Sequence, residues 1–238
     1  MQAGDFKTQL PCTASHEGAG TVVATGSSVS ASTFKPGDRV MCGILLHPCG
    51  RCADCQGPEN YSQYCTNGEG YIGIMKDGAF AEYVVADART SAKLPDKVSF
   101  ETAAPLACAG STVWRGVLQA GLKSGEWLGI VGSGGGLGHL GIQFAKALGL
   151  NVVGIDARDE GLALSKEVGA DVVVDARKGD QAVVEEVHKA TNGEGVGATV
   201  NVSDARSAAA TACAMTKRHG LVVQIAQVSS LRTFVRRR

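Results

Sequence analysis

The first part of the chain, residues 1–108, alternates short apolar runs with turn-forming residues. Glycine, proline, aspartate and asparagine interrupt it every few positions, and β-like runs stand out at residues 20–24, 39–41 and 81–85. Short strands that follow one another closely are typical of antiparallel sheets and barrels. The pattern therefore predicts an antiparallel, barrel-like domain.

The second part, residues 109–238, has a different rhythm, in which apolar runs alternate with helical patterns. The five apolar runs are residues 128–131, 152–155, 172–174, 199–202 and 221–225. This alternation is typical of βαβ units, whose strands lie parallel in one sheet. The sequence therefore predicts an α/β fold with two domains and a doubly wound parallel sheet in the second.

A glycine-rich turn joins the first of these apolar runs to a helix that ends at Gly149. Residues 132–138 read Gly-Ser-Gly-Gly-Gly-Leu-Gly. Glycine lets the backbone approach a pyrophosphate, and the helix N-terminus supplies free N–H donors. A plain tight turn would use the same residues. However, the next apolar run ends in Asp156 about twenty residues on, where an acid hydrogen-bonds the adenosine ribose.

The turn and this acid together predict a dinucleotide site. Its candidate residues are Gly132, Gly134, Gly135, Gly136, Leu137, Gly138 and Asp156. A carboxylate at Asp156 would repel a 2′-phosphate, so the pattern favours NAD, while Arg158 nearby leaves NADP open.

Composition and charge narrow the class of partner. The 238 residues are 44% hydrophobic, and 23 basic residues balance 23 acidic ones, so no long-range field attracts nucleic acid or an anionic membrane. We therefore expect small-molecule partners. The N-terminus lacks the apolar core of a signal peptide, and no run is long enough to span a bilayer. We expect a cytoplasmic protein, in which eight cysteines favour metal binding over disulfides.

Four cysteines lie within seventeen residues, at Cys49, Cys52, Cys55 and Cys65. Four soft thiolates at this spacing suit a tetrahedral zinc ion with no open position, which is a structural site. Unligated loop cysteines are the alternative. Arg51, inside the cluster, is a candidate to offset the negative charge of a zinc tetrathiolate.

A looser candidate site combines His16 and Glu17 with Cys108. By spacing alone, His16 is as often an ordinary surface or core histidine, and Cys108 is more often a small buried hydrophobe. The residues by themselves leave a second metal site open.

Several motifs, in order along nearly the whole chain, resemble the medium-chain zinc alcohol dehydrogenase family and its yeast-type branch. Besides the four cysteines and the glycine turn with Asp156, they are His16-Glu17-Gly18-Ala19-Gly20, Lys35-Pro36-Gly37-Asp38-Arg39-Val40, Asp77-Gly78-Ala79-Phe80-Ala81-Glu82-Tyr83, Pro105-Leu106-Ala107-Cys108-Ala109-Gly110-Ser111-Thr112-Val113 and Asn201-Val202-Ser203.

The resemblance implies a GroES-like catalytic domain at residues 1–108, with a structural-zinc lobe at about 47–66, and a Rossmann NAD-binding domain at 109–238. It implies that His16 and Cys108 bind a catalytic zinc, with Glu17 as an occasional or outer ligand, and that Thr112 lies near the nicotinamide. The implied reaction interconverts alcohols with aldehydes or ketones by hydride transfer.

The chain also departs from the family pattern at both ends. Only fifteen residues precede His16, so we expect the family's first β-rich stretch, with its third zinc ligand and proton relay, to be missing. Cys12 is a weak candidate to replace that ligand. The last Rossmann strand, through which the family's homo-oligomers pair, is also expected to be missing, which would expose a sheet edge at residues 222–225.

Three hypotheses follow. The first is an active, NAD-linked zinc alcohol dehydrogenase, and the second is an inactive fragment or pseudoenzyme that keeps the structural zinc and NAD binding. The third, a zinc-free quinone reductase-like protein, is disfavoured by His16, Cys108 and the four-cysteine lobe. The choice of alcohol is left open.

Overall fold

The computed structural model describes residues 7–57 and 61–227. The chain divides into two compact units, Met1–Cys108 and Ala109–Arg238. No helix within the described ranges is long and apolar enough to cross a membrane.

The first unit is built from short strands and turns. Its strands, within the described part of the unit, are β1 (Ala19–Thr21), β2 (Arg39–Met41), β3 (Leu45–Leu46), β4 (Gly70–Tyr71) and β5 (Ala92–Lys93). Its helices are α1 (Ala53–Gln56) and α2 (Phe100–Ala103), with 3-10 turns at Ser62–Tyr64 and Ala104–Ala107. The strands form two antiparallel sheets, one ordered β1-β2-β5 and the other pairing β3 with β4.

A small apolar core holds the first unit together. Phe34, Val40, Cys42, Leu46 and Ile72 are all buried in it. Val40 comes from β2 and Leu46 from β3, and the other three residues lie in the loops beside the strands, so the loops supply much of this interior.

One expected strand of this unit does not form. Residues 81–85 have the alternating pattern of a strand but adopt irregular backbone, with Tyr83 and Val85 exposed. Just upstream, Gly78, Ala79 and Phe80 bond to the backbone of residues 13–15. A strand needs a neighbour along its whole length, and none of the described residues pairs with 81–85.

The second unit is an α/β structure. Its strands, over the described residues, are β6 (Trp127–Val131), β7 (Asn151–Asp156), β8 (Val172–Asp175), β9 (Val196–Asn201) and β10 (Thr216–Gln224). Its helices are α3 (Ala109–Gln119), α4 (Gly136–Ala147), α5 (Asp159–Glu167), α6 (Asp180–Ala190) and α7 (Ala208–Met215), with a 3-10 turn at Ala176–Lys178. The strands are parallel, in the order β10-β9-β6-β7-β8.

Each face of this sheet has its own apolar core. On one face Leu128 and Ile130 of β6 pack with Val113 of α3 and Ile142 of α4. On the other face, residues of β7 and β8 pack with α6 and α7. A parallel sheet buried on both faces explains the nearly continuous apolar runs in the sequence. All five strands predicted for this half are confirmed, although β10 begins at Thr216 and not at residue 221.

Candidate active site and metal centres

The four cysteines predicted to bind a structural metal converge in the first unit. Their sulfur atoms all lie within 4.8 Å of one another, and all four thiols are free. Cys52 immediately precedes α1, and Cys52 Sγ lies 3.5 Å from Cys55 Sγ. The amide of Cys49 donates to Cys65 Sγ at 3.3 Å, which closes the lobe. Four convergent thiols are the donor set that zinc prefers in closed sites.

The thiols of this cluster are not equivalent. Hydrogen bonds from the backbone amides of Arg51 and Cys52 lower the pKa of Cys49 to about 6. Desolvation, followed by the neighbouring sulfur of Cys52, raises the pKa of Cys55 to about 12. Neighbouring thiolates repel one another, so the first to ionise holds back the others unless a cation joins them. The cluster therefore fits a bound divalent metal better than four free thiols.

The looser candidate site is also assembled, and entirely within the first unit. One ligand atom each from His16, Glu17 and Cys108 lie within 4.8 Å of one another. The Nδ1 atom of His16 is buried and has no hydrogen-bond partner among the described residues. Because a buried polar atom without a partner is costly, His16 is not the satisfied core histidine that its spacing alone allowed.

The backbone that carries His16 is held by residues that the sequence analysis did not single out for this role. The amide of Thr13 donates to Asp77 Oδ1 at 2.7 Å, and the amide of Ala79 donates to the carbonyl of Ser15 at 2.8 Å. A Cβ atom at Gly78 would collide with the Ser15 carbonyl oxygen. The sequence feature that indicates this contact is the Asp77-Gly78 pair, because such a dipeptide marks a turn where two backbones can approach closely.

Cys12 does not join this group. Its thiol points to the carbonyl oxygen of Lys76 at 3.5 Å, and within the described residues the ligand group comprises only His16, Glu17 and Cys108. Only three residues lie between Cys12 and His16, and one of them, Ser15, has a positive φ of 76°. The sequence-based suggestion that Cys12 replaces a metal ligand is not supported.

The glycine-rich turn lies between β6 and α4 in the second unit, as predicted. The first amides of α4, at Gly136, Leu137 and Gly138, have no intrahelical acceptor because they open the helix. A Cβ atom at Gly136 would meet nothing within 4 Å, so the start of the helix is open to an approaching group at this residue. An open cradle of N–H donors with partial positive charge fits a pyrophosphate.

Gly134, by contrast, is required by packing. A Cβ atom there would collide with the backbone of Gly161 on α5, and a Cβ atom at Gly161 would lie 2.5 Å from the carboxyl carbon of Asp156. The two glycines therefore let the turn, α5 and Asp156 pack together. Gly161 was missed by the sequence analysis because a single glycine within a helical pattern carries no distinctive signal.

Asp156 ends β7 and is almost completely buried. Its carboxylate accepts hydrogen bonds from the amides of Gly134 (2.9 Å), Ala157 (2.9 Å) and Arg158 (3.0 Å). Burial opposes ionisation, but these amides and the Arg158 guanidinium outweigh it and lower the pKa of Asp156. The side chain is therefore a fixed negative charge at neutral pH, beside the glycine turn.

Thr112 lies half-buried on α3, in the second unit. Its role beside a nicotinamide stays a prediction.

Two family models match the chain. The model of the alcohol dehydrogenase GroES-like domain matches residues 1–96, and that of the zinc-binding dehydrogenase matches residues 136–236. With the two ligand groups and the parallel sheet, these matches place the chain in the class of zinc-binding dehydrogenases, whose members combine these two kinds of domain.

Comparison with known proteins identifies similar members of this class. An alcohol dehydrogenase of Geobacillus stearothermophilus is 40% identical over 227 residues, which are 93% of this chain and 64% of the relative. The alcohol dehydrogenase of Aeropyrum pernix superposes with a TM-score of 0.83 at 32% identity, covering 98% of this chain and 66% of that one. A putative zinc-binding dehydrogenase of Sinorhizobium meliloti, bound to NADP, superposes with a TM-score of 0.81 at 29% identity, covering 94% and 64%.

This chain belongs to the zinc-containing alcohol dehydrogenase family. The predicted family and fold class are thereby confirmed. The chain spans 64% of the length of the Geobacillus relative that it matches.

Proposed function

We propose that the whole protein is an NAD-linked zinc alcohol dehydrogenase that interconverts alcohols with aldehydes or ketones. The observation that carries the proposal is the convergence of one ligand atom each from His16, Glu17 and Cys108. A catalytic zinc site takes three protein ligands and leaves one position open for substrate. This mixed nitrogen, oxygen and sulfur group has that character, whereas the four-cysteine lobe is closed.

Zinc and the nicotinamide, when bound, supply a Lewis acid that lowers the pKa of an alcohol and an acceptor for its hydride. The chain's own residues bind and position these two groups. His16 and Cys108 hold the metal, and Glu17 supplies a carboxylate beside it as an inner or outer ligand. Thr112 is proposed to lie near the nicotinamide, on the helix that begins directly after Cys108.

In the second unit, the opening amides of α4 are proposed to hold the pyrophosphate and Asp156 the adenosine ribose. NAD is proposed over NADP because Asp156 carries a fixed negative charge that repels a 2′-phosphate. Arg158 partly offsets that charge, with its Nε 3.3 Å from Asp156 Oδ1, so the preference is expected to be a ratio of affinities and not absolute.

The cytoplasm is the proposed location, because both ligand groups need reduced cysteines to bind a metal.

The first experiment is zinc per chain on the purified protein, with NADH binding measured by fluorescence. The active-enzyme hypothesis predicts two zinc ions, one for each ligand group. The variant His16→Asn is expected to remove one ion and Cys52→Ser the other. A single ion that His16→Asn does not affect would support the non-catalytic alternative, in which only the lobe and the NAD site function.

Activity is then measured as NADH formation from a panel of short primary and secondary alcohols, with and without a chelator. We expect turnover that the chelator abolishes. A folded, full-length protein that carries both zinc ions and oxidises none of these alcohols would contradict the proposed reaction.

A further inference from the structure

The base of the four-cysteine lobe is tied to a buried carboxylate. Asp87 is 4% exposed, and its Oδ2 accepts a hydrogen bond of 2.9 Å from the amide of His47, two residues before Cys49. Nearby, Thr90 Oγ1 donates to the carbonyl of Leu45 at 2.9 Å, and the amide of Gly43 donates to Ser91 Oγ at 3.0 Å. The segment 87–91 therefore holds the chain where it enters the lobe.

The side chain of Arg89 links Asp87 to the backbone beside Cys49. Its Nε and Nη2 donate to the two oxygens of Asp87 at 3.0 and 2.6 Å, a fork that fixes the guanidinium plane. Its Nη1 donates to the carbonyl of Pro48 at 2.9 Å, immediately before Cys49. A Cβ atom at Gly50 would lie 3.8 Å from the same Nη1, so the guanidinium passes close to the backbone on both sides of Cys49.

The Arg89 cation also interacts with the cluster electrostatically. The bond to Asp87 is the main reason why the pKa of Arg89 is raised, and smaller Coulomb interactions with Cys55 and Cys49 raise it further. Four thiolates around one Zn²⁺ leave a net charge of about −2, so a cation held in a fixed position nearby stabilises the loaded lobe.

We propose that Arg89 is a positioning residue for the metal of the four-cysteine lobe, holding the Pro48–Cys49 backbone in the ligating conformation and neutralising part of the thiolate charge. This inference rests on the proposed zinc binding and assigns the charge-balancing role to a residue outside the cysteine motif. Partners that orient metal ligands commonly change metal affinity by about 10–100-fold when removed.

Arg51 is the natural comparison, because it lies inside the motif and was the sequence-based candidate for the same role. Its side chain is exposed, and its effect on Cys49 comes through its backbone amide. A side-chain substitution leaves that amide in place. Arg51→Met is therefore a matched control for Arg89→Met: it also removes one positive charge near the cysteines, but it leaves the contact to Pro48 in place.

The test uses the full chain loaded with Co²⁺, whose thiolate absorption bands report the lobe separately from the site that contains a single cysteine. The rate of band loss is followed after addition of excess chelator. We expect release to be about tenfold faster in Arg89→Met than in wild type. Arg89→Lys should be intermediate, because lysine keeps the charge but not the planar fork. Arg51→Met should stay within about twofold of wild type, as expected for an exposed charge.

Two further measurements separate this role from a general loss of structure. Arg89→Met leaves Asp87 as a buried charge without its arginine, so the double variant Asp87→Asn/Arg89→Met removes that penalty and should still release metal fast. Rising salt should accelerate release from wild type and change release from Arg89→Met much less, because salt screens the charge contribution.

Release from Arg89→Met and from the double variant at the wild-type rate would overturn the role of Arg89 while leaving zinc binding intact. Wild-type protein that shows no thiolate–cobalt bands would overturn zinc binding by the lobe, and this inference with it.

Discussion

The carboxylate of Asp156 accepts a 2.9 Å hydrogen bond from the backbone amide of Gly134, across 22 residues of chain. The residue proposed to bind the ribose is thus attached directly to the turn proposed to bind the pyrophosphate. Both parts of the cofactor site are therefore held in place before any cofactor arrives, which reduces the entropy lost on binding.

Replacing Asp156 tests the cofactor preference. Asp156→Asn keeps an acceptor oxygen for the Gly134 amide but removes the negative charge. We expect the NADH-to-NADPH affinity ratio to fall about tenfold, equivalent to roughly 1.4 kcal/mol. Fluorescence titration with both cofactors measures the ratio. An unchanged ratio in a folded variant would mean that Asp156 does not face the 2′ position.

Two substitutions in the glycine turn test whether it binds a pyrophosphate or is only a tight turn. Gly136→Ala places a methyl group in open space, so stability should be unchanged while NADH binding weakens by about tenfold or more, because the methyl group displaces the pyrophosphate. Gly134→Ala should instead destabilise the second unit by roughly 1–3 kcal/mol through collision with Gly161.

Thermal unfolding and NADH titration of both variants distinguish the two effects. Normal NADH binding by Gly136→Ala would argue that the turn is purely structural. Gly26→Ala, where a methyl group also meets open space but far from the turn in sequence, is the control for the substitution itself.

The turn at Gly78 should affect one metal site and not the other. Gly78→Ala pushes a methyl group against the Ser15 carbonyl and so shifts the backbone that carries His16. We expect the variant to lose the zinc ion at His16, while the thiolate–cobalt bands of the four-cysteine lobe persist. Gly20→Ala, close to His16 but with free space around it, should keep both metals. Loss of both metals from Gly78→Ala would indicate general misfolding.

Asp171 should make stability depend on pH at the acid end. Its carboxylate accepts hydrogen bonds from Lys146 Nζ and from the amide of Val152, both at 2.7 Å. Burial opposes ionisation, but these partners outweigh it, so the pKa of Asp171 lies below its ordinary value of 3.8. The charged form is thus the form that the native state favours. Its stabilisation is complete above about pH 4 and is lost as the pH falls through the native pKa.

We therefore expect Asp171→Asn to lower the free energy of unfolding by roughly 0.5–1 kcal/mol at pH 7, a small value because the pair is about one-third exposed. The difference from wild type should shrink below pH 4. Urea unfolding at both pH values measures it, and the exposed Asp204→Asn is the control. If the difference in unfolding free energy between wild type and Asp171→Asn grew below pH 4, the inferred direction of the pKa shift of Asp171 would be wrong.

The sequence alone determined the features that depend on short-range pattern. The strands of the second unit follow from apolar runs, which any parallel sheet buried on both faces requires. The glycine turn and the four cysteines are likewise readable, because a helix N-terminus and a tetrahedral lobe need particular residue types at short, nearly constant spacings. The family resemblance then placed His16, Glu17 and Cys108 together, although more than ninety residues separate the histidine from the cysteine.

Only the tertiary structure decided what depends on neighbours distant in sequence. Residues 81–85 have a strand pattern without a strand, because pairing needs a partner that local sequence does not specify. Gly78 holds the backbone before His16, Gly161 makes room for Asp156, and Arg89 reaches the cysteine lobe from a segment more than twenty residues beyond its last cysteine. Each of these is a contact between surfaces that meet only after folding, and neither composition nor periodicity records such a contact.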